Sequence, residues 1–145
     1  MKQKETKLQF FLDLARVQAI LTRKFDGRLG AIHGIGMTDF MLLSHLAKAP
    51  DEKMRRIDLA EKIGLTASGV TRLLIPMEKI GLVRRETDKQ DARVSYVMLA
   101  PGGKRLFTDA LEQAEVLAED IIAASHVSKP EVLMDSVAEF AARLS

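Results

Sequence analysis

The chain has 145 residues, 47% of them apolar, no cysteine, and a formal net charge of +2 at pH 7. That length and apolar share predict one globular unit, with or without a helical appendage, and the lack of cysteine excludes disulfides, thiol catalysis and thiolate metal sites. No apolar run nears the roughly twenty residues of a membrane span and no apolar signal core follows the charged start Met1-Lys2-Gln3-Lys4-Glu5, so a cytoplasmic protein is expected.

Lys7 to Leu29 reads as a long helix with two apolar stripes, Leu8, Phe11, Leu12, Ala15 and Ala19 on one and Phe10, Leu14, Val17 and Leu21 on the other. A helix apolar on two faces packs between other helices. Gly27, Gly30, Gly34 and Gly36 then predict a break. Thr38 is placed to cap a second helix, Asp39 to Ala47, with Phe40, Leu43, Leu46 and Ala47 inward. Pro50-Asp51-Glu52 reads as a loop, and Met54-Arg55 as a short strand.

The next segment carries the most information. Arg55 to Ile63 spells a short amphipathic helix with Ile57, Leu59, Ala60 and Ile63 inward, closed by Gly64, whose freedom to adopt positive φ suits a helix end. Thr66 can cap a following helix through its hydroxyl. That helix runs through Val70, Leu73, Leu74 and Met77 to Ile80, and Gly81 ends it. Pro76 lies inside it and predicts a kink near Arg72 to Leu74, since proline removes one backbone bond and crowds the turn before it. Two short helices about a tight glycine turn make a helix-turn-helix, whose second helix enters the major groove. Leu82 to Glu86 and Val94 to Leu99 then read as paired strands around the polar loop Thr87 to Arg93, a hairpin.

Pro101 suits the first turn of another helix. Lys104 to Ala124 continues it with Leu106, Ala110, Gln113, Ala114, Leu117, Ile121 and Ala124 on one side. Val127 to Pro130 breaks it, and a last helix, Glu131 to Leu144, carries Leu133, Val137, Phe140 and Leu144.

The run Gly81-Leu82-Val83-Arg84-Arg85, then Asp88, Asp91 and Arg93, then Leu99-Ala100-Pro101-Gly102-Gly103 resembles the MarR family of bacterial transcriptional regulators, and the resemblance extends over nearly the whole chain. The family's wing typically reads Asp-x-Arg-Asp-x-Arg and its next helix opens Leu-Thr-x-x-Gly; here Gln90 stands at the wing arginine and Ala100 at the capping threonine. The expected fold is mainly α with a small β-hairpin wing: a winged helix-turn-helix lobe over residues 37–100, flanked by N- and C-terminal dimerisation helices over 1–30 and 101–145, in a single subunit. The resemblance implies a homodimer on a pseudo-palindromic DNA site. It further implies a repressor released by a small aromatic or phenolic effector bound between the DNA lobe and the dimer interface. Arg16, His33 and His45 are the polar residues offered for that crevice.

Charge agrees with a DNA-binding lobe. Lys53 to Arg93 holds ten basic and six acidic residues, net +4, whereas Thr108 to Ser145 holds two basic and eight acidic, net −6. A basic middle suits phosphate contact. The first turns of a recognition helix meet base edges, which nominates Ala67, Ser68, Thr71 and Arg72, with Thr66 at the cap. Arg72 has the fork that pairs with guanine, or it contacts phosphate. Arg55, Arg56 and Arg84 are phosphate candidates; strand alternation lets only one of Arg84 and Arg85 face DNA. Lys89 and Gln90 occupy the wing tip. Arg93 contacts DNA or braces the wing through Asp88 or Asp91. Nothing points to catalysis, a metal or a cofactor: His33, His45 and His126 lack ligand spacing. The competing reading is a winged helix used for protein contact, but that module would not keep Ser68, Thr71 and Arg72 on its second helix.

Overall fold

Six helices and a three-stranded antiparallel sheet build residues 2–145, the part of the chain that the computed structural model describes. Met1, counted above with the first helical region, lies outside them. The first helix, α1 (Lys2–His33), is 32 residues long. It runs straight through Gly27 and Gly30, where a break was expected, and stops at Gly34, whose φ is 72°. A helical glycine costs only about 1 kcal/mol against alanine, and burial of Phe25 and Leu29 on either side outweighs it.

Helix α2 (Met37–Lys48) does not use Thr38 as its cap; Gly36 holds that place in extended conformation. The cap oxygens come from elsewhere. Asp26 Oδ1, on α1, accepts from Met37 N at 2.7 Å, and Asp39 Oδ2 accepts from Gly36 N at 3.0 Å. Two free donors at the helix start are thereby satisfied, and α2 is tied to α1. A Cβ on residue 36 would stand 2.9 Å from Asp26 Oδ1, so a side chain there would push the Asp26 carboxylate off Met37 N.

A 3₁₀ turn at Pro50–Glu52 leads into β1 (Lys53–Arg55), α3 (Arg56–Ile63) and α4 (Ala67–Lys79). Gly64 adopts the left-handed conformation at φ 73°, and Thr66 Oγ1 accepts from Gly69 N at 3.0 Å, as the sequence predicts. Ile57 and Ile80 do not face inward: both are exposed. The inward stripe of α3 is Arg56, Leu59, Ala60 and Ile63, at helical spacing, and Ile57 falls about 100° from Arg56. Ile80 lies beyond the last turn of α4. That helix runs unbroken through Pro76.

Strands β2 (Val83–Thr87) and β3 (Ser95–Leu99) form the hairpin, and β1 pairs with the other edge of β3, giving the order β1-β3-β2. The core lies between α1's C-terminal end, α2, α3, α4 and this sheet, with Leu29, Leu42, Leu43, Leu46, Leu59, Leu74, Val70, Val83 and Val97 fully buried. Helix α5 (Pro101–Ser125) starts with Pro101 in its first turn, and Ala100 offers no side-chain cap. Gly103 lies against the Leu82 carbonyl, at a distance that leaves no room for a Cβ. His126, at φ 52°, turns the chain into α6 (Pro130–Leu144).

The two ends of the chain form a separate arm. Helix α6 has no buried residue. Its Phe140 ring lies 5.8 Å from Phe10 and 6.0 Å from Phe11 on α1. On the same two helices, Leu8, Leu12, Val17, Leu133, Val137 and Leu144 stay exposed. No helix of the described residues is long and apolar enough to cross a membrane.

Candidate nucleic-acid interface

Helix α4 buries Val70, Leu74 and Met77. At about 100° per residue, the stripe opposite them is Ser68, Arg72, Ile75 and Lys79, all exposed and all within about 60° of one another. The first turn is fixed by the Thr66 cap, so the Thr66 hydroxyl is already engaged, while Ala67 is half-buried.

Arg56 and Thr71 meet each other. Arg56 Nη1 donates to Thr71 Oγ1 at 2.8 Å, and that hydroxyl donates in turn to the Ala67 carbonyl at 3.0 Å. Both side chains are half-buried, and Arg56 Nε is shielded without a partner. The pair is a strut between α3 and α4, which fixes how far the recognition helix stands off the helix behind it. The outward stripe therefore passes through Arg72, not Thr71.

The wing presents a second surface. Register places Lys53 and Arg84 opposite Met98, and Arg55 and Glu86 opposite Tyr96. These six share the outer face of the sheet, because side chains alternate along a strand, while buried Val83, Val97 and Leu99 take the inner one. Lys53 Nζ stands 5.1 Å from the centre of the Tyr96 ring, and Arg55 Nε pairs with Asp58 at 2.9 Å. Arg85, on the inner face, donates to Glu78 Oε2 of α4 at 2.6 Å, so Arg84 is the outward member of that pair. At the tip, Asp88 Oδ1 accepts from Gln90 N at 2.7 Å and Asp91 N at 3.1 Å. Asp91 Oδ1 accepts from both the backbone N and Nε of Arg93, at 3.0 and 3.1 Å. The Arg93 side chain, and then its backbone N–H, hold the Asp91 carboxyl below the usual range. Lys89 and Gln90 are exposed at the apex.

Charge pairing separates two kinds of cation. Arg55, Arg85 and Arg93 have carboxylate partners. Among the described residues Arg72, Lys79, Arg84 and Lys89 have none within ion-pair distance. Lys53 and Lys79 were not singled out from sequence. Counting four, seven and eleven residues on from Ser68 finds Lys79, and counting two back from Arg55 along the strand finds Lys53.

The three effector candidates do not converge. Arg16 and His33 are on one unbroken helix, seventeen residues or about 25 Å apart along its axis. His33 is half-buried with Nε2 shielded from any partner. His45, on α2, has its pKa lowered by burial and then by Lys48 and Lys62. An open depression of about 480 Å³ on α1 is lined by Ala15, Gln18, Ala19, Thr22, Arg23 and Asp26, and none of the three lines it.

Residues 35–95 match the model of the MarR family. The Bacillus subtilis (strain 168) protein YdgJ, described as an uncharacterized HTH-type transcriptional regulator, is 25% identical over 130 residues, which are 90% of this chain and 76% of that protein. Among solved structures, the transcriptional regulator BldR from Sulfolobus solfataricus superposes with a TM-score of 0.85 at 26% identity, over 99% of each chain. The MarR family regulator Sco3205 from Streptomyces coelicolor, crystallised with DNA, gives a TM-score of 0.81 at 19% identity, over 98% of this chain and 87% of its own.

Proposed function

We propose that this chain, whose residues 35–95 match the MarR family model, is a transcriptional regulator of that family and binds a pseudo-palindromic DNA operator as a homodimer. Residues 37–100 are the DNA-reading lobe, and 1–30 with 101–145 the dimerisation region. The observation that carries this reading is the outer stripe of α4 beside unpaired wing cations. Ser68, Arg72 and Lys79 are exposed directly opposite the buried stripe, as a helix laid in the major groove requires. Arg72 is assigned to a base edge. Arg84 and Lys89 are assigned to phosphates, because cations without a carboxylate partner are the ones left to release counterions from DNA.

The dimer rests on surface. A compact monomer of this mass exposes about 7,400 Å², whereas this chain, at 16.1 kDa, exposes 10371 Å². An excess near 3,000 Å² per protomer is more than enough for one partner's share of an obligate interface, about 1,000–2,500 Å², and the arm of α1 and α6 holds exposed leucines, valines and phenylalanines to fill it. A twofold dimer pairs one patch with itself and sets two recognition helices one DNA turn apart. The mode of regulation proposed with it is repression relieved by a small aromatic or phenolic molecule, which is supported by the match of residues 35–95 to the MarR family model.

Selection of bound duplexes from a random library tests the reading. An inverted repeat with half-sites about 10 base pairs apart, centre to centre, is the expected result. Recovery of no enriched sequence overturns the reading and favours a protein partner. Loss of operator binding on addition of phenolic acids, read by anisotropy, tests the relief of repression.

A further inference from the structure

Among the four exposed residues on the outer stripe of α4, one does not suit water. Ile75 is 44% exposed, between Arg72 and Lys79 and about 20° round the helix from Ser68. Among the described residues it is not part of the core or of the side chains packed against it. Its neighbours Leu74 and Met77 supply the core, and Glu78, next on the wing side, is engaged by Arg85. Ile75 also holds one direction, because β-branching restricts its χ1 in a helix.

Resting on the DNA reading above, we propose that Ile75 determines specificity by packing on the C5-methyl group of a thymine. The major groove offers one base-borne apolar group, that methyl, and an apolar side chain on a groove-facing stripe has this group to meet. Ile75 stands three residues, about 4.5 Å along the axis, beyond Arg72. With base pairs 3.4 Å apart along the duplex, its thymine lies one or two pairs from the base that Arg72 contacts. The preference is for thymine over cytosine at one position in each half-site.

The test uses full-length protein and the selected operator, with deoxyuridine replacing each thymine in turn, symmetrically in both half-sites. Uracil pairs as thymine does but lacks the methyl. Loss of one buried methyl corresponds to about fourfold in affinity, so about fifteenfold for two half-sites. The wild type should show that loss at one symmetric position. Ile75→Ala should bind the thymine operator weakly and show no further loss with uracil there. Ile80→Ala removes a still more exposed isoleucine that lies about 140° away round the helix; it should keep the wild-type uracil response. Equal uracil losses in wild type and Ile75→Ala at every position overturn the inference while leaving the DNA reading in place. A protein with no operator preference overturns the DNA reading, and this inference with it.

Discussion

Replacing Gly103 by alanine tests how the DNA lobe is fixed to α5. A Cβ there would stand 2.9 Å from the Leu82 carbonyl carbon and 3.0 Å from Leu99 Cδ1, against about 3.5–4.0 Å for relaxed carbon contacts. The first neighbour is backbone and cannot rotate away. Helix α5 must shift, at a cost of about 1–3 kcal/mol for overpacking. The same Leu82 carbonyl accepts from Ala100 N at 3.0 Å, and loosening that bond adds about 1 kcal/mol. Alanine's better helix propensity returns about 1 kcal/mol. The net loss is about 1–3 kcal/mol, or about 4–12 °C in melting temperature for a chain of this size. Gly27→Ala is the contrast: it is also helical, has nothing within 4 Å of its Cβ, and should gain about 1 kcal/mol. Thermal unfolding followed by circular dichroism at one fixed protomer concentration compares the two. A Gly103→Ala protein that melts as high as Gly27→Ala would refute the packing argument.

Arg72→Ala should weaken operator binding by about 1–3 kcal/mol and relax preference at one position per half-site, whereas Lys89→Ala should weaken operator and scrambled duplex alike and lower the salt slope by about one per subunit; anisotropy on both duplexes separates the two outcomes. Leu144→Asp, at a residue 70% exposed in the protomer, should yield monomer by sedimentation, since a charge set into an apolar interface lacks a partner; unchanged dimer mass would move the interface off this stripe. The pKa of His45 lies below its ordinary 6.5 through burial first and Lys48 and Lys62 second. The unfolded chain then binds the proton more readily than the folded one, so this contribution is complete above pH 6.5 and is lost as pH falls. Urea midpoints at pH 7.5 and 5.5 should differ more for wild type than for His45→Gln, and equal differences would remove His45 as the cause.

Much of the lobe was legible because its signals are local. Gly64 closing α3 and Thr66 capping α4 each act within a few residues of themselves. Tertiary choices were not legible. The α2 cap comes from Asp26, eleven residues earlier on another helix, which no local pattern around Thr38 could reveal. Buried Phe25 and Leu29 hold α1 helical across two glycines that propensity alone would break. Arg56 reads as a phosphate contact until α3 and α4 are packed, when it becomes a strut to Thr71. Ile57 and Ile80 show that apolar spacing locates a face only while the helix is long enough to define one.

The central claim, that the α4 stripe and the wing of a dimer engage duplex DNA, is tested most directly by one titration. The selected operator and a scrambled duplex of equal length are each titrated with wild-type protein across 50 to 200 mM salt. With about 6–10 phosphates neutralised, log affinity should fall with log salt at a slope of about −5 to −9, a loss on the order of 10³–10⁵ over that range, while the operator binds at least about 10³-fold more tightly than the scrambled duplex. A flat salt response with equal affinity for both duplexes would contradict the account.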